Sequence, residues 1–156
     1  MGIWWEMHLG KGTWYYGPKH SATTANTKKY IDFASENGIS GVLVEGWNVG
    51  WEGNWMKHGD SLDFTKPYPD FDIKAITDYA REKGFAFYKQ YGVHVVKTGY
   101  VNRLMDFKEA HDGQYGVRHY RKVIETAAKY QIAIDNHEPV MPTGIERTWP
   151  NLMTQE

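Results

Sequence analysis

The stretch that decides the fold is residues 131–144, QIAIDNHEPVMPTG. The three apolar residues at 132–134 predict a short buried strand, which runs directly into the four polar residues at 135–138. Two prolines and a glycine then turn the chain into an irregular loop. In α/β sheets and barrels, chemistry is located where strands end and loops begin. His137 and Glu138 therefore have two interpretations: a pair that coordinates a cation, holds a polar substrate or moves protons, or ordinary charges on a solvated loop.

The composition excludes several classes of function. The 156 residues are enough for one domain with a real core. A formal net charge of -1 without a basic run gives no electrostatic basis for nucleic-acid binding. Cysteine is absent, which excludes a disulfide framework and thiol catalysis. No apolar run approaches the ~20 residues of a membrane span, and the opening MGIWWEMH predicts no signal peptide in this chain.

The aromatic content is the unusual feature of the composition. Seven Trp, 11 Tyr and 6 Phe make up 15% of the chain, although the mean hydropathy of -0.64 is polar. Such a combination is typical of a surface that stacks flat ligands such as sugar rings. Core packing and amphipathic surface positions are the more ordinary explanation, and composition leaves both open.

Apolar strands alternate with amphipathic helices along the chain. Segment 85–91, FAFYKQY, fits a strand or the last turns of a helix equally well. The alternation of apolar strands with amphipathic helices indicates parallel βαβ units. Four strands and about three helices amount to half of an eight-fold barrel, so we predict an α/β fold, a partial (β/α)8 TIM-type barrel in one domain, 1–156. The predicted strands are 2–7, 41–48, 93–101 and 132–134, the helices 25–37, 72–83 and 117–130, and the main loops 11–24, 50–69, 103–115 and 143–156.

Capping residues support the first two helices. Thr23 or Thr24 is placed to cap the first of them, and Gly38 follows it as a C-cap. Asp70 or Asp72 begins the second.

Polar and aromatic side chains follow each predicted strand. If the strands are parallel, their carboxyl ends lie on one rim. Trp stacks on the apolar face of a sugar, Lys and His bind hydroxyl groups, and Glu performs acid–base work on a glycosidic bond. For Glu45 and Lys97 the alternative is an internal ion pair that neutralises buried charge. The residues delivered to this rim are Trp4, Trp5, Glu6, Glu45, Trp47, Asn48, Lys97, His137 and Glu138.

Seven segments resemble the catalytic barrel of glycoside hydrolase family 97: GIWWEMH, ATTANTKKYIDFA, GVLVEGWN, PYPDFD, VKTGYV, NHEP with PTG, and RTWPNLMTQE. The resemblance spans nearly the whole chain and covers about the first half of the family's barrel. It implies a bacterial, calcium-dependent hydrolase of α-glucosides or α-galactosides. It also implies an α-glucoside oligosaccharide as the bound partner and a periplasmic or secreted location.

The resemblance implies roles for individual residues. Glu138 matches a glutamate that binds calcium and is a candidate general base in inverting members, and Glu156 matches a second calcium ligand. Gly99 lies where retaining members carry a nucleophilic aspartate, which favours the inverting, α-glucosidase-like branch. Four positions match sugar-contacting residues of the family: Trp4, Glu45, Lys97 and His137.

Two departures from the family pattern put catalysis in doubt. The family has a strand carrying a His-His-Glu motif after the helix that ends near 84, whereas here the chain runs straight into FAFYKQYG. The family's general acid follows a few residues beyond Glu156. An inverting enzyme needs an acid and a base roughly 6.5–9.5 Å apart. The alternative function is therefore a non-catalytic half-barrel scaffold or sugar-binding fragment.

Half of a barrel also predicts self-association. Its strand edges are unpaired, and the face meant for the barrel interior is expected to carry Val42, Val44, Val95 and Ile132 or their neighbours. Two copies related by a two-fold axis would cover that face. We therefore predict a homodimer or a higher homo-oligomer.

Overall fold

The computed structural model describes residues 1–54, 57–82, 94–99, 103–105 and 108–156, with only the backbone at 81–82. Within these residues the α/β class with parallel strands is confirmed. The chain forms two compact units, Met1–Gly92 and Val93–Glu156. A single domain over 1–156 and a partial barrel stay predictions. No helix in the described part is long and apolar enough to cross a membrane.

The first unit combines two short parallel strands with two longer helices. Gly2 lies opposite Leu43, and Ile3 lies opposite Val44. The apolar sides of the longer helices form a buried cluster that includes Ile31, Ala34, Phe71, Ile76 and Ala80. The elements are β1 (Gly2–Ile3), α1 (Trp5–His8), α2 (Thr24–Glu36), β2 (Leu43–Val44), a 3-10 turn (Gly59–Ser61) and α3 (Ile73–Glu82).

Local hydrogen bonds begin and end these helices as the sequence predicts. Thr23 caps α2, because its hydroxyl accepts a hydrogen bond from the Asn26 amide at 3.0 Å. Gly38 follows α2 with a φ of +67°, a left-handed conformation that glycine adopts without strain. The Asp72 carboxylate accepts from the Ala75 amide at 3.0 Å where α3 begins. The predicted end of this helix near 84, like segment 85–91, lies outside the described residues.

Both strands of the first unit are shorter than predicted. The strand expected over 2–7 ends at Ile3, where α1 begins to form. The strand expected over 41–48 keeps only the two residues of β2, because the backbone turns at Gly46 with a φ of +79°. A Cβ on Gly46 would lie 3.0 Å from the Trp14 carbonyl oxygen, so this close approach suits glycine.

Several aromatic residues of the first unit pack on one another. Trp14 stacks on Trp51 with ring centroids 5.0 Å apart. The buried Tyr68 donates its hydroxyl proton to the Glu52 carboxylate at 2.8 Å. Burial and then this hydrogen bond raise the pKa of Tyr68 to about 12. These rings therefore hold the long loop that follows β2, which is the packing alternative that composition left open.

The second unit is a three-stranded parallel sheet with one helix against it. The sheet order is β3–β6–β7, and Val95 lies opposite Ala133 at the start of the β3–β6 pair. Ile124 and Ala127 of the helix pack on Ile134 and Leu152 of the sheet. The elements are β3 (Val95–Gly99), β4 (Leu104–Met105), β5 (Glu109–Ala110), α4 (Gln114–Lys129), β6 (Ala133–His137), a 3-10 turn (Ile145–Arg147) and β7 (Leu152–Gln155).

β7 was missed by the sequence prediction, which assigned 143–156 to a loop. Its pairing with β6 has one register shift. Ile134 lies opposite Leu152 and Asp135 opposite Thr154, so that Met153 is an extra residue in β7. The sequence of this strand, LMTQ, does not alternate apolar with polar residues, so periodicity does not reveal a strand. Leu152 is the one buried residue in it.

The Asn151 side chain locks β7 to its neighbours. Its amide donates to the carbonyl of Ile124 in α4 at 3.0 Å and to that of Ile132 before β6 at 3.3 Å. The Ile134 amide in turn donates to the Asn151 carbonyl at 2.7 Å. One asparagine thus joins the helix and two strands.

Two further predictions for this unit need correction. The expected loop at 103–115 contains the antiparallel β4–β5 pair and the start of α4. The central strand extends from Ala133 to His137, further than the apolar residues 132–134 indicate. Polar residues continue it because Asn136, only 3% exposed, accepts a hydrogen bond from the Thr98 hydroxyl at 2.5 Å.

Three of the four apolar residues named for the inner face of the barrel pack against helices instead. Val42 and Val44 pack against the α2–α3 cluster, and Ile132 packs against the α4 cluster. Val95 is the only one of the four predicted residues that is largely exposed, at 44%. These three residues thus pack against helices, and an apolar inner face would be left to Val95 and to neighbours of the other three. The homo-oligomer itself stays a prediction.

We expect Thr23→Ala to lower the free energy of unfolding by about 1 kcal/mol, because it removes the capping acceptor of α2. Thr23→Asn retains a capping side chain and should cost much less. Chemical denaturation of the two variants measures the difference. Equal losses in both would show that the capping bond contributes nothing.

Candidate functional site

Three neighbouring parallel strands end at the same edge of the second unit. Ile134 packs against α4, so alternation along β6 turns Asp135 and His137 to the opposite face of the sheet. Lys97 lies opposite Asp135 in the β3–β6 register and shares that face. We call this surface the polar face of the sheet.

Glu156 joins two basic side chains on the polar face. Its carboxylate lies 2.8 Å from the Lys97 ammonium and 3.9 Å from Nε2 of His137. Lys97 lies in β3 and His137 in β6, and Glu156 directly follows β7. The structure therefore brings together Lys97 and His137, which the sequence placed at a rim, with Glu156, which the family resemblance implied as a calcium ligand.

The charges of this cluster favour an ionised Glu156. The hydrogen bond from Lys97, the Lys97 charge and then the His137 charge hold the pKa of the Glu156 carboxyl below its usual value. The Glu156 side chain is 60% exposed, whereas that of Lys97 is 18% exposed. For Lys97 the ion-pair alternative is thus observed, although with a solvent-exposed partner whose net contribution to stability is small.

Glu138 lies directly after β6 in an unusual backbone conformation. Its φ is +50°, in the left-handed region. A residue other than glycine pays about 1–3 kcal/mol for such a conformation, which tends to occur at functional sites. The Glu138 amide donates to the Glu156 carbonyl at 2.7 Å, and the Tyr120 hydroxyl donates to the Glu138 carbonyl at 2.7 Å.

The sequence did not single out Tyr120, Asp135 or Thr154 as site residues. Tyr120 lies within the predicted helix 117–130, and nothing in helical periodicity reveals where its hydroxyl bonds. The Thr154 hydroxyl donates to the Asp135 carboxylate at 2.6 Å on the polar face. The signal available for Asp135 was its place among the polar residues that follow 132–134.

Trp4 and Glu45 belong to the first unit. They follow β1 and β2, which pair side by side, and the Glu45 amide donates to the Ile3 carbonyl at 3.2 Å. The Trp4 ring makes edge contacts with Trp5 and His8, at centroid distances of 5.3 and 5.5 Å. The two predicted residues thus follow adjacent parallel strands, as expected for one rim.

Glu138 and Glu156 supply the type of ligand that calcium prefers. Calcium takes about six to eight oxygen ligands, and the main-chain bond between these residues holds their backbones together. The described residues contain no group of three or more His, Asp or Glu side chains arranged around one metal position. The two glutamates do not form a metal site by themselves within the described residues, and calcium binding stays a prediction.

We expect Lys97→Met to raise the pKa of Glu156 toward its ordinary range, because the variant removes the main cause of the lowering. The wild-type ion pair stabilises the fold at neutral pH, and this contribution is lost as the pH falls through the lowered pKa. Carbon-13 NMR of the Glu156 carboxyl measures the shift. Lys129→Met, on an exposed residue at the end of α4, is the charge-matched control, and an unchanged pKa in Lys97→Met would contradict the assignment.

Sequence comparison identifies one family over both units. The sequence model described as glycoside hydrolase 97 matches residues 4–86 and 83–156. A retaining alpha-galactosidase of Bacteroides thetaiotaomicron is 30% identical over 142 residues, covering 83% of this chain and 20% of that protein. A probable retaining alpha-galactosidase of Streptomyces bingchenggensis is 26% identical over 163 residues, covering 92% of this chain and 24% of that protein.

Solved structures give the same result. A glycoside hydrolase family 97 enzyme from a Pseudoalteromonas species, in complex with acarbose, matches with a TM-score of 0.89 and 43% identity. A variant from the same source, in complex with panose, gives the same values. Each comparison covers 99% of this chain and 28% of the solved one. Because the family model matches nearly all of the sequence, this chain belongs to glycoside hydrolase family 97.

Proposed function

We propose that this chain contributes part of the active site of an inverting, calcium-dependent α-glucoside hydrolase, as part of a (β/α)8 barrel. The observation that carries the proposal is the cluster of Lys97, His137, Glu138 and Glu156 where three parallel strands end. Active sites of such barrels lie at the carboxyl ends of the strands. The likeness to family 97 structures at 43% identity supports the barrel.

The side chains of the cluster suit separate steps of glycoside hydrolysis. Glu138 is the proposed general base, which takes a proton from the water that attacks the anomeric carbon. Lys97 and His137 donate hydrogen bonds to sugar hydroxyls. In the first unit, taken by itself, Trp4 is proposed to stack on a sugar ring and Glu45 to accept hydrogen bonds from hydroxyls.

Calcium is proposed to be held by Glu138 and Glu156 together with further oxygen ligands. The lowered pKa of Glu156 supports this role, because metal ligands must be deprotonated. The bound ion would supply a fixed positive charge that orders sugar and water oxygens. Glu156 serves poorly as a general acid for the same reason, since an ionised carboxylate has no proton to donate.

Gly99 supports inversion. It is the last residue of β3 and lies opposite His137, next to the proposed base. A carboxylate at this position would provide the nucleophile of a retaining mechanism, and glycine provides none. The relatives at 30% and 26% identity are named retaining enzymes. Gly99 is the residue from which we infer that this chain differs from them in mechanism.

The α-glucoside preference rests on a different comparison. The solved family 97 structures, at 43% identity, were obtained with acarbose and panose, which are α-linked oligosaccharides of glucose-type units. The α-galactosidase relatives have lower identity. A periplasmic or secreted location is part of the same proposal.

A second function is sugar binding without turnover, by a scaffold or binding fragment. The ion pair between Glu156 and Lys97 favours this function, because it holds the Glu156 carboxylate in its ionised form. The main chain of Glu156 is bonded to Glu138. Glu156, ionised in this way, is not the acid that the proposed base needs as its partner. Activity measurements on the chain separate the two functions.

We expect no detectable hydrolysis of maltose by the 156-residue chain, since an ordinary leaving group needs protonation. An activated aryl α-glucoside, whose leaving group needs little protonation, should be turned over slowly. Proton NMR should then show the β anomer of glucose as the first product. The activity should vanish in Glu138→Ala and survive in Glu146→Ala, on an exposed residue of the 3-10 turn.

Three results would contradict these assignments. Clear maltose turnover lost in Glu138→Ala would show a complete acid–base pair in this chain. The α anomer as first product would exclude inversion. Sugar binding without any turnover of the aryl glucoside would favour the binding function.

We also expect the chain to bind calcium more weakly than about millimolar, because two carboxylates are far fewer than the ligands such a site needs. Titration calorimetry measures this affinity. Glu138→Gln should weaken what binding there is, and Glu146→Gln should leave it unchanged. Micromolar affinity that is lost in Glu138→Gln would mean that the chain holds a complete site.

A further inference from the structure

Tyr120 connects α4 to the residue that follows β6. It lies in the second turn of α4 and is 3% exposed. Its hydroxyl donates to the Glu138 carbonyl oxygen at 2.7 Å, although the two residues are 18 positions apart. A buried hydroxyl that bonds to main chain outside its own element fixes that main chain relative to the helix.

The other main-chain polar group of Glu138 is also bonded. Its amide donates to the Glu156 carbonyl at 2.7 Å. The residue between these two bonds has a φ of +50°, which ordinary side chains adopt only where their surroundings enforce it. Tyr120 and Glu156 therefore hold the left-handed conformation from two sides.

This conformation changes the course of the chain at the end of β6. Ile134 and Asn136 are buried, and Ile134 packs against α4. Regular alternation would give Glu138 the same orientation as these two residues, toward the helix. The left-handed backbone interrupts the alternation, and Glu138 is exposed.

We propose that Tyr120 is a positioning residue for Glu138. Its hydroxyl keeps the Glu138 backbone in the left-handed conformation and thereby sets the direction of the carboxylate. The functional meaning of this role rests on the proposed function of Glu138, but the backbone effect does not. Tyr120 itself needs no contact with the substrate.

Tyr120→Phe tests the proposal, because it keeps the ring and removes the hydroxyl. Tyr130→Phe is the matched control, since Tyr130 follows α4 and is 73% exposed. NMR scalar couplings that report φ, together with amide hydrogen exchange, are measured in the chain and both variants. In Tyr120→Phe, Glu138 should leave the left-handed region, and its amide should exchange roughly five- to tenfold faster, as expected for the loss of one hydrogen bond.

A purely structural role of Tyr120 gives a different result. If the hydroxyl only stabilises the fold, the amides of α4, Ile134 and Glu138 accelerate together and φ at Glu138 stays left-handed. That outcome overturns the proposal, as does a Tyr130→Phe variant with the same effect. Neither the scalar couplings nor the amide exchange rates depend on sugar or calcium. This test therefore remains valid even if the proposed function is wrong.

A second measurement applies if Tyr120→Phe does not fold. In the unaltered chain, the Tyr120 hydroxyl proton should be protected from solvent exchange and show a nuclear Overhauser effect to the protons around the Glu138 carbonyl. A rapidly exchanging hydroxyl proton would overturn the proposal.

Discussion

The parallel pairing of β6 with a strand on each side is the constraint on which the second unit depends. Five residue pairs join β6 to β3, from Val95–Ala133 to Gly99–His137, and β7 pairs on its other side. Because the strands are parallel, their carboxyl ends lie at one edge. Side chains that are distant in sequence, such as Lys97 and Glu156, can therefore meet at 2.8 Å.

The sequence predicted elements that depend on local signals and missed those that depend on distant contacts. Helix α2 was found because Thr23 and Gly38 act within one turn of its ends. β7 was missed because the residue that pairs with Leu152, Ile134, lies 18 residues before it in the sequence. In addition, only one residue of β7 is buried, so its sequence carries little apolar signal. The rim residues of β3 and β6 were found because a strand that ends in polar residues is a local pattern.

The ion pair and the Tyr120 bond were outside the reach of such patterns. Lys97 was considered both as a sugar contact and as half of an internal ion pair, and the structure gives it Glu156 as a partner. These roles are compatible. An ammonium group paired with an exposed carboxylate gains little net stability, so the observed ion pair does not argue against the proposed sugar contact of Lys97.

The extra residue in β7 decides which charges belong to the site. Met153 has no opposite residue in β6, so Thr154 rather than Met153 lies across from Asp135, and Gln155 lies across from Asn136. Glu156 therefore continues the pattern on the side of His137 and Lys97. In an uninterrupted strand, Glu156 would align with Glu138 and face the helix side of the sheet. Closing the bulge without a deletion, by pairing Met153 with Asp135, would thus place Gln155 opposite His137 and exchange the acid of the polar face for an amide, whereas deleting Met153 would keep the pairings beyond it.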